Sequence, residues 1–352
     1  MKQKEHFVIT AIGIACALGR GRDEVLRNLK RADTSGMKEL NGVLTAGDVT
    51  RFGFIPGWNA TRPESLSADE FRVGAVADLA FSDIAEAVAS AKSRYGRNRI
   101  GVVMGSSNST MEEFTDNPTV IDMHFPARHL QEKADVAGPS LAVSTACSSS
   151  AKTFASARRL LNTGVCDAVI VGGADAFTRT VCEGFHSLEA LSTTLCRPCS
   201  PNRDGINLGE GAALFLLERK SGSGHGIELL GIGESSDAYH LTAPDPEGRG
   251  AEAAMRAALE DADCSADNIS FVNLHGTGTT YNDAMELSAV ERVFGHCRVC
   301  AFSTKPLTGH CLGAAGAIEA ALSSLALCER RGICLSNSFA FGGSNASIVL
   351  AG

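Results

Sequence analysis

The chain has 352 residues, 44% hydrophobic and 20% charged, with 37 glycines, few aromatics (6%) and a net charge of -8. That length supports a large core in one or two domains, and the acidic balance excludes a general nucleic-acid binder, which needs a basic surface. The 12 cysteines include two CxxC pairs, Cys196/Cys199 and Cys297/Cys300, but follow no disulfide or zinc-ribbon spacing. This usage points to a reducing, cytoplasmic compartment and to no structural metal.

The N-terminal run MKQKEHFVITAIGIACALG has the outline of a signal peptide. Glu5 and His6 interrupt its flank and no small-residue cleavage site follows, so it reads as a buried first strand. No run is expected to reach the length of a membrane span. Residues 23–30 read as a helix, 31–65 as a turn-rich excursion carrying Trp58, and 71–95 as one long helix with Val76, Leu79, Ala80 and Ile84 on one face. A strand at 100–104 ends in a small polar turn, and 111–139 reads as irregular, broken by Pro118, Pro126 and Pro139. LAVSTACSSSAKTFASARRLLN, 141–162, passes from a short strand through a bend at Cys147 into a small-residue helix. A strand at 168–175 and another after the glycine turn at 209–211 complete this half; 221–226, SGSGHG, reads as a flexible tip or linker.

The same grammar then repeats: strands at 227–233, 270–274, 299–304 and 347–350, with helices at 250–262, 283–294 and 312–328. Alternating strands and helices imply an α/β fold with a largely parallel sheet covered by helices. The repeat suggests a pseudo-duplicated α/β/α/β/α layering, with a first half (1–220) holding Cys147 and a second (221–352) holding two histidines. Residue identity between the halves is too weak to establish duplication.

A cysteine at a strand-to-helix bend stands proud of its sheet, as at other nucleophile elbows. The helix N-terminus there favours the thiolate and predicts a lowered pKa. A buried cysteine is also commonly no more than a small hydrophobe. Three further signatures follow strands: HGTGT from His275, STKPLTGH ending at His310, and NSFAFGGSN from Asn337 to Asn345. Each alone has a structural reading, as a satisfied histidine, a surface lysine or a plain glycine turn. Together they place one cysteine and two histidines at strand-to-loop positions among small residues.

With VGGAD ending at Asp175, the RDG and GEG loop from Arg203, and SSDAYH from Ser235, these motifs resemble the β-ketoacyl–acyl carrier protein synthases over most of the chain. GESSDAYH and LSNSFAFGG look most like the subgroup that builds aryl polyenes. The resemblance implies a thiolase-like, five-layer α/β/α/β/α fold and a decarboxylative Claisen condensation between an acyl thioester and malonyl-loaded carrier protein. It also implies roles for individual residues. Cys147 would take the acyl group, and the N–H groups of Cys147 and Phe341 would form an oxyanion hole. His275 and His310 would steady the malonyl enolate. Lys305 would orient His310, with Glu319 holding Lys305 at the substrate site. Thr277 and Thr279 would bind the pantetheine arm, and the Phe341 ring would gate the acyl pocket.

No cofactor or metal is implied. The implied partners are acyl- and malonyl-loaded carrier protein, for which Arg62, Arg72 and Arg128 are candidate contacts, and a second subunit, making a homodimer or a heterodimer with a chain-length-factor-like homologue. A primary fatty-acid elongation synthase is an alternative. A non-catalytic chain-length factor is another, against which Cys147 argues; a coenzyme A thiolase is a third, against which the paired histidines argue. Three departures from the family pattern stand out. Ala340 replaces a frequent glycine, the turn after Met104 is polar, and the 327–337 connection is short enough to be either a trimmed strand pair or a junction across missing residues.

Overall fold

Two sheets with the same strand order organise the chain. The computed structural model describes residues 5–45, 47–61, 71–111, 121–220, 226–295, 297 and 299–352. The first sheet is built from β1 (Phe7–Cys16), β2 (Ile100–Gly105), β3 (Ser140–Val143), β4 (Ala168–Asp175) and β5 (Gly211–Arg219), in the order β3-β2-β4-β5-β1. The second is built from β6 (Ile227–Ser236), β7 (Phe271–Asn273), β8 (Cys300–Phe302), β9 (Ile333–Phe339) and β10 (Ser344–Ala351), in the order β8-β7-β9-β10-β6. In each, the second strand runs parallel to the third and fourth, and the fifth runs antiparallel to the fourth and first. This shared topology demonstrates the duplication. β1 also pairs antiparallel with β6, from Phe7↔Leu229 to Ile9↔Ile227, so the two sheets form one hydrogen-bonded path.

The main helices are α1 (Arg22–Lys30), α2 (Arg72–Ser82), α3 (Ala85–Tyr95), α4 (Phe125–Ala134), α5 (Ser149–Asn162), α6 (Arg179–Ser187), α7 (Arg249–Asp261), α8 (Thr280–Phe294), α9 (Lys305–Thr308) and α10 (Ala315–Glu329). Strand alternation assigns them to layers. In β5, Ala213, Phe215 and Leu217 join a central core with α5 and α10, while Ala212, Leu214 and Leu216 face a core with α2, α3 and α4. In the second sheet Ile348 and Leu350 face the same central core, and Val349 faces α7 and α8. The order is therefore helices, sheet, α5 and α10, sheet, helices. Strands covered on both faces need continuous apolar runs, which β4 and β5 have.

The middle layer demands small residues. A Cβ on Gly105 would lie 2.4 Å from Ser150 N, and one on Gly316 would lie 2.8 Å from both Ala151 Cβ and Ser338 Oγ. The first turn of α5 thus rests directly on the first sheet, and α10 meets α5 and β9 almost backbone to backbone. Contrary to the sequence expectation, Leu312–Glu329 has the length and hydropathy (mean 1.3) of a membrane span, but 83% of it is buried between the sheets.

Several other expectations change. The helix read over 71–95 breaks into α2 and α3 where the Asp83 carboxylate turns back to accept the Ile14 N–H (3.3 Å). α4 forms inside the stretch read as irregular; Pro126 sits in its first turn, where a missing N–H costs nothing. α6, capped by the Thr178 hydroxyl, was not anticipated. The chain passes from α10 to β9 through Arg330, Arg331 and Gly332 alone, and Gly332 exchanges both backbone hydrogen bonds with Gly352. The 327–337 connection is therefore a tight three-residue turn between α10 and β9. Pro118, Arg62 and most of the 221–226 tip lie outside the described residues.

Candidate active site

Cys147 stands between β3 and α5. Ala146, just before it, takes a left-handed conformation (φ 50°), which throws the next side chain off the strand line. Two serines stitch the bend: Ser149 Oγ accepts the Thr145 N–H (2.8 Å) and donates to the Ala146 carbonyl (2.5 Å), and Ser148 Oγ donates to the Thr145 carbonyl (3.0 Å). The elbow read from the sequence is present, and the CSSS run serves to hold it.

His275 and His310 converge on this sulfur from the second half. His310 Nε2 lies 2.9 Å from Cys147 Sγ, and the two imidazole rings meet edge to face at 5.3 Å. His310 is placed by backbone bonds that sandwich the strand segment Leu208–Gly209: its N–H donates to Asn207 O (2.8 Å) and its carbonyl accepts from Gly209 (3.0 Å). His275 is placed by α8. Glu286 accepts the N–H groups of His275 (2.8 Å) and Gly276 (2.7 Å), and Asp283 accepts those of Thr277 (3.0 Å) and Gly278 (3.2 Å). Two buried carboxylates one turn apart thus fold the HGTGT loop. Sequence reasoning missed both; the signal was an Asp-x-x-Glu in the first turns of the helix that follows a glycine loop.

Lys305 is fully buried and tied to Glu319 at 2.5 Å. Its ammonium donates to the His275 carbonyl and lies 3.5 Å from His275 Nδ1. The expectation that it orients His310 is corrected: its bonds go to His275 instead, because α9 brings it behind that ring. His310 Nδ1 is buried and without a hydrogen-bond partner among the described residues.

Burial dominates the electrostatics. It pushes the Cys147 thiol up to about 11, against the opposing pull of the Lys305 charge and the Phe341 and Cys147 N–H groups. The lowered pKa expected from the helix N-terminus is therefore overturned: desolvation of the thiolate outweighs the helix dipole. Burial, assisted by the Lys305 charge, holds His275 and His310 well below their ordinary 6.5, so both rings are neutral near pH 7. Burial raises the Glu319 carboxyl to about 7, with Lys305 opposing.

The triad lines a cleft of about 210 Å³, together with Phe185, Phe339, Phe341, Thr277, Thr279 and Tyr281. The Phe341 ring stacks on Phe185 of α6 at 5.6 Å. Gly342 and Gly343 adopt φ 79° and 74°, which only glycine takes without strain, while Ala340 is extended (φ -117°). Alanine at 340 is accordingly accommodated without strain. The 237–245 loop braces the turn: Gly342 donates to Leu241 O (2.7 Å), and Asp237 donates to Gly343 O (2.9 Å). The hydroxyls of the polar turn after Met104 are largely engaged. Ser106 Oγ (2.5 Å), Ser107 Oγ (2.9 Å) and the Asn108 N–H (3.1 Å) all donate to the buried Asp175, which also takes the Gly313 N–H (2.6 Å). Arg72 is not a surface contact: it is buried in a bidentate pair with Glu210 (2.7 and 2.8 Å). Arg128 is exposed and paired with Asp122 (2.8 Å).

Residues 4–223 match the family model for the β-ketoacyl synthase N-terminal domain, and 227–333 match that for its C-terminal domain. The chain belongs to the β-ketoacyl synthase family. In this synthase Cys147, His275 and His310 cluster in a way that fits a Cys-His-His catalytic triad. It is 32% identical to a 3-oxoacyl-[acyl-carrier-protein] synthase 2 of Staphylococcus aureus, covering 93% of this chain and 86% of the relative. The namesake from Rhizobium meliloti is 33% identical over 97% and 98%. Among solved structures, the ketosynthase ApeO, determined in complex with its chain length factor ApeC from Xenorhabdus doucetiae, superposes with a TM-score of 0.90 at 38% identity, covering 100% of both chains. A β-ketoacyl synthase from Burkholderia phymatum superposes at 0.82, with 28% identity over 99% of each chain.

Proposed function

We propose that this synthase is the condensing subunit of an aryl polyene assembly system, acting on carrier-protein thioesters beside a chain-length-factor-like homologue. The observation that carries the chemistry is the 2.9 Å approach of His310 Nε2 to Cys147 Sγ, with His275 beside them. A thiol with a pKa of about 11 is a weak nucleophile until a base takes its proton. Neutral His310 accepts that proton as the sulfur attacks the acyl thioester, and returns it to the departing carrier thiol. The N–H groups of Cys147 and Phe341 stabilise the tetrahedral oxyanion; losing one such donor typically costs ~3 kcal/mol.

In the second half-reaction, the neutral ring of His275 donates to the malonyl thioester oxygen as CO2 leaves, joined by His310 once its ring proton has moved from Nδ1 to Nε2. The carbanion then attacks the acyl-cysteine and extends the chain by two carbons. Neutral imidazoles suit this step because they stabilise an enolate without protonating its carbon. Lys305 and Glu319 act behind His275, Thr277 and Thr279 line the path of the pantetheine arm, and the Phe341 ring swings about Gly342 and Gly343 to admit the acyl chain. Support for the polyene assignment comes from the 38% identity to ApeO and from the GESSDAYH and LSNSFAFGG wording. Twelve free cysteines accord with a cytoplasmic setting.

A second reading, primary fatty-acid elongation, is favoured by the synthase 2 relatives. Intact-mass measurement of acyl-enzyme formation against a panel of acyl carrier thioesters separates the two. Conjugated unsaturated chains are expected to load preferentially, and more so with the partner subunit present. Preferential loading of saturated chains by the chain alone would establish the elongation reading instead.

A further inference from the structure

The reacting side chains have a second chemistry. Cys147 Sγ and one ring nitrogen from each of His275 and His310 all lie within 4.8 Å of one another, and all three residues are buried. A thiolate with two neutral imidazoles is a donor set of the kind that holds zinc with one position left open. Here the open direction is the cleft itself.

The geometry is within reach of side-chain adjustment. Tetrahedral zinc with ordinary bond lengths separates sulfur from nitrogen by about 3.6 Å and nitrogen from nitrogen by about 3.3 Å. The Sγ···Nε2 contact of 2.9 Å then has to open by about 0.7 Å, and no other pair has to close by more than about 1.5 Å. The ammonium of Lys305, which opposes a cation nearby, is offset by Glu319. The outer shell is poor, however. His310 Nδ1 has no partner, and His275 Nδ1 has the Lys305 ammonium at 3.5 Å where metal-bound histidines normally donate to a carboxylate or carbonyl. A weak outer shell favours reversible binding over a permanent structural site.

We propose that Cys147, His275 and His310 form a reversible inhibitory site for Zn2+, which competes with the acyl thioester for the Cys147 sulfur. Binding replaces the thiol proton with a sulfur–zinc bond and releases that proton to solvent. Acylation uses the same sulfur, so the metal-bound and acyl-enzyme states exclude each other. The inference rests on the triad alone and is independent of the polyene reading.

The test uses the full chain and Co2+ as an optical probe. A thiolate-to-cobalt charge-transfer band is expected, displaced by Zn2+, lost in Cys147→Ala, weakened in His275→Ala, and kept in the double variant Cys297→Ser/Cys300→Ser. With zinc at about ten times its dissociation constant, acyl-enzyme formation should fall roughly tenfold and recover on adding EDTA. Enzyme already acylated should show no band. A band that survives Cys147→Ala, or disappears in the Cys297/Cys300 variant, overturns the proposal, as does full acylation at saturating zinc. Because the cobalt band needs no substrate, an enzyme that fails to acylate without metal counts against the proposed function and leaves this inference standing.

Discussion

Cys147 is subject to opposing influences: a helix N-terminus and the Lys305 charge favour its thiolate, while burial disfavours it more strongly. The thiol is therefore held protonated near neutral pH, and its activation depends on His310. Cys147→Ala should abolish acyl-enzyme formation by intact mass while leaving the melting temperature nearly unchanged, since it removes one sulfur from the lining of a cleft. Alkylation of the wild-type thiol by iodoacetamide should still be accelerating above pH 9, towards its pKa of about 11; a plateau below pH 9 would contradict the burial argument. The histidines make the opposite kind of prediction. Their pKa values are depressed, so both stay neutral as pH falls through 6.5. Malonyl decarboxylation, followed by CO2 release, should persist through that value and be lost only well below it.

At the scale of elements, the catalytic loops are held by glycine contacts and buried carboxylates. Gly105 lets the first turn of α5 rest on β2 at Ser150, three residues after the nucleophile Cys147. Gly105→Ala puts a methyl group 2.4 Å from Ser150 N, a backbone atom that has no rotamer to escape into. Overpacking of this kind costs about 1–3 kcal/mol, visible as a lowered denaturation midpoint, and should slow acylation beyond the loss of folded protein. Glu286 presents two oxygens to two N–H groups of the histidine loop, and Asn337 also donates to it (3.1 Å). Glu286→Gln keeps the volume but leaves a donor facing a donor, costing roughly 1–3 kcal/mol. It should weaken decarboxylation more than acylation, because the displaced ring is His275 and not His310.

At the scale of the whole molecule, the repeated topology creates the site. Each half contributes one central helix and one set of strand-end loops, and Cys147 and the two clustered histidines come from different halves. The outer edge of β3 is unpaired among the described residues, and Leu141 on it is 41% exposed. An apolar, unpaired edge invites pairing with another chain. Sedimentation should accordingly find a dimer, with the homologous partner where both are present, and Leu141→Lys should shift it towards monomer. A stable monomer with full condensing activity would contradict the dimeric assignment.

The residues around the chemistry were legible in the sequence because loops at strand ends keep compact local signatures: the cysteine bend, HGTGT, STKPLTGH and FAFGG. The layered α/β class was legible because apolar runs and helical periodicity are local too. What needed the tertiary structure was whatever depends on pairing across long separations. Arg72 reads as a surface basic residue until Glu210, 138 positions away, buries it. Lys305 reads as the partner of His310, five positions on, until α9 sets it behind His275. The periodicity across 71–95 continues through a break that only the Asp83 contact to β1 explains. The raised pKa of Cys147 follows from neither its motif nor its helix but from its burial, because desolvation is a property of the surroundings that no short stretch of residues encodes.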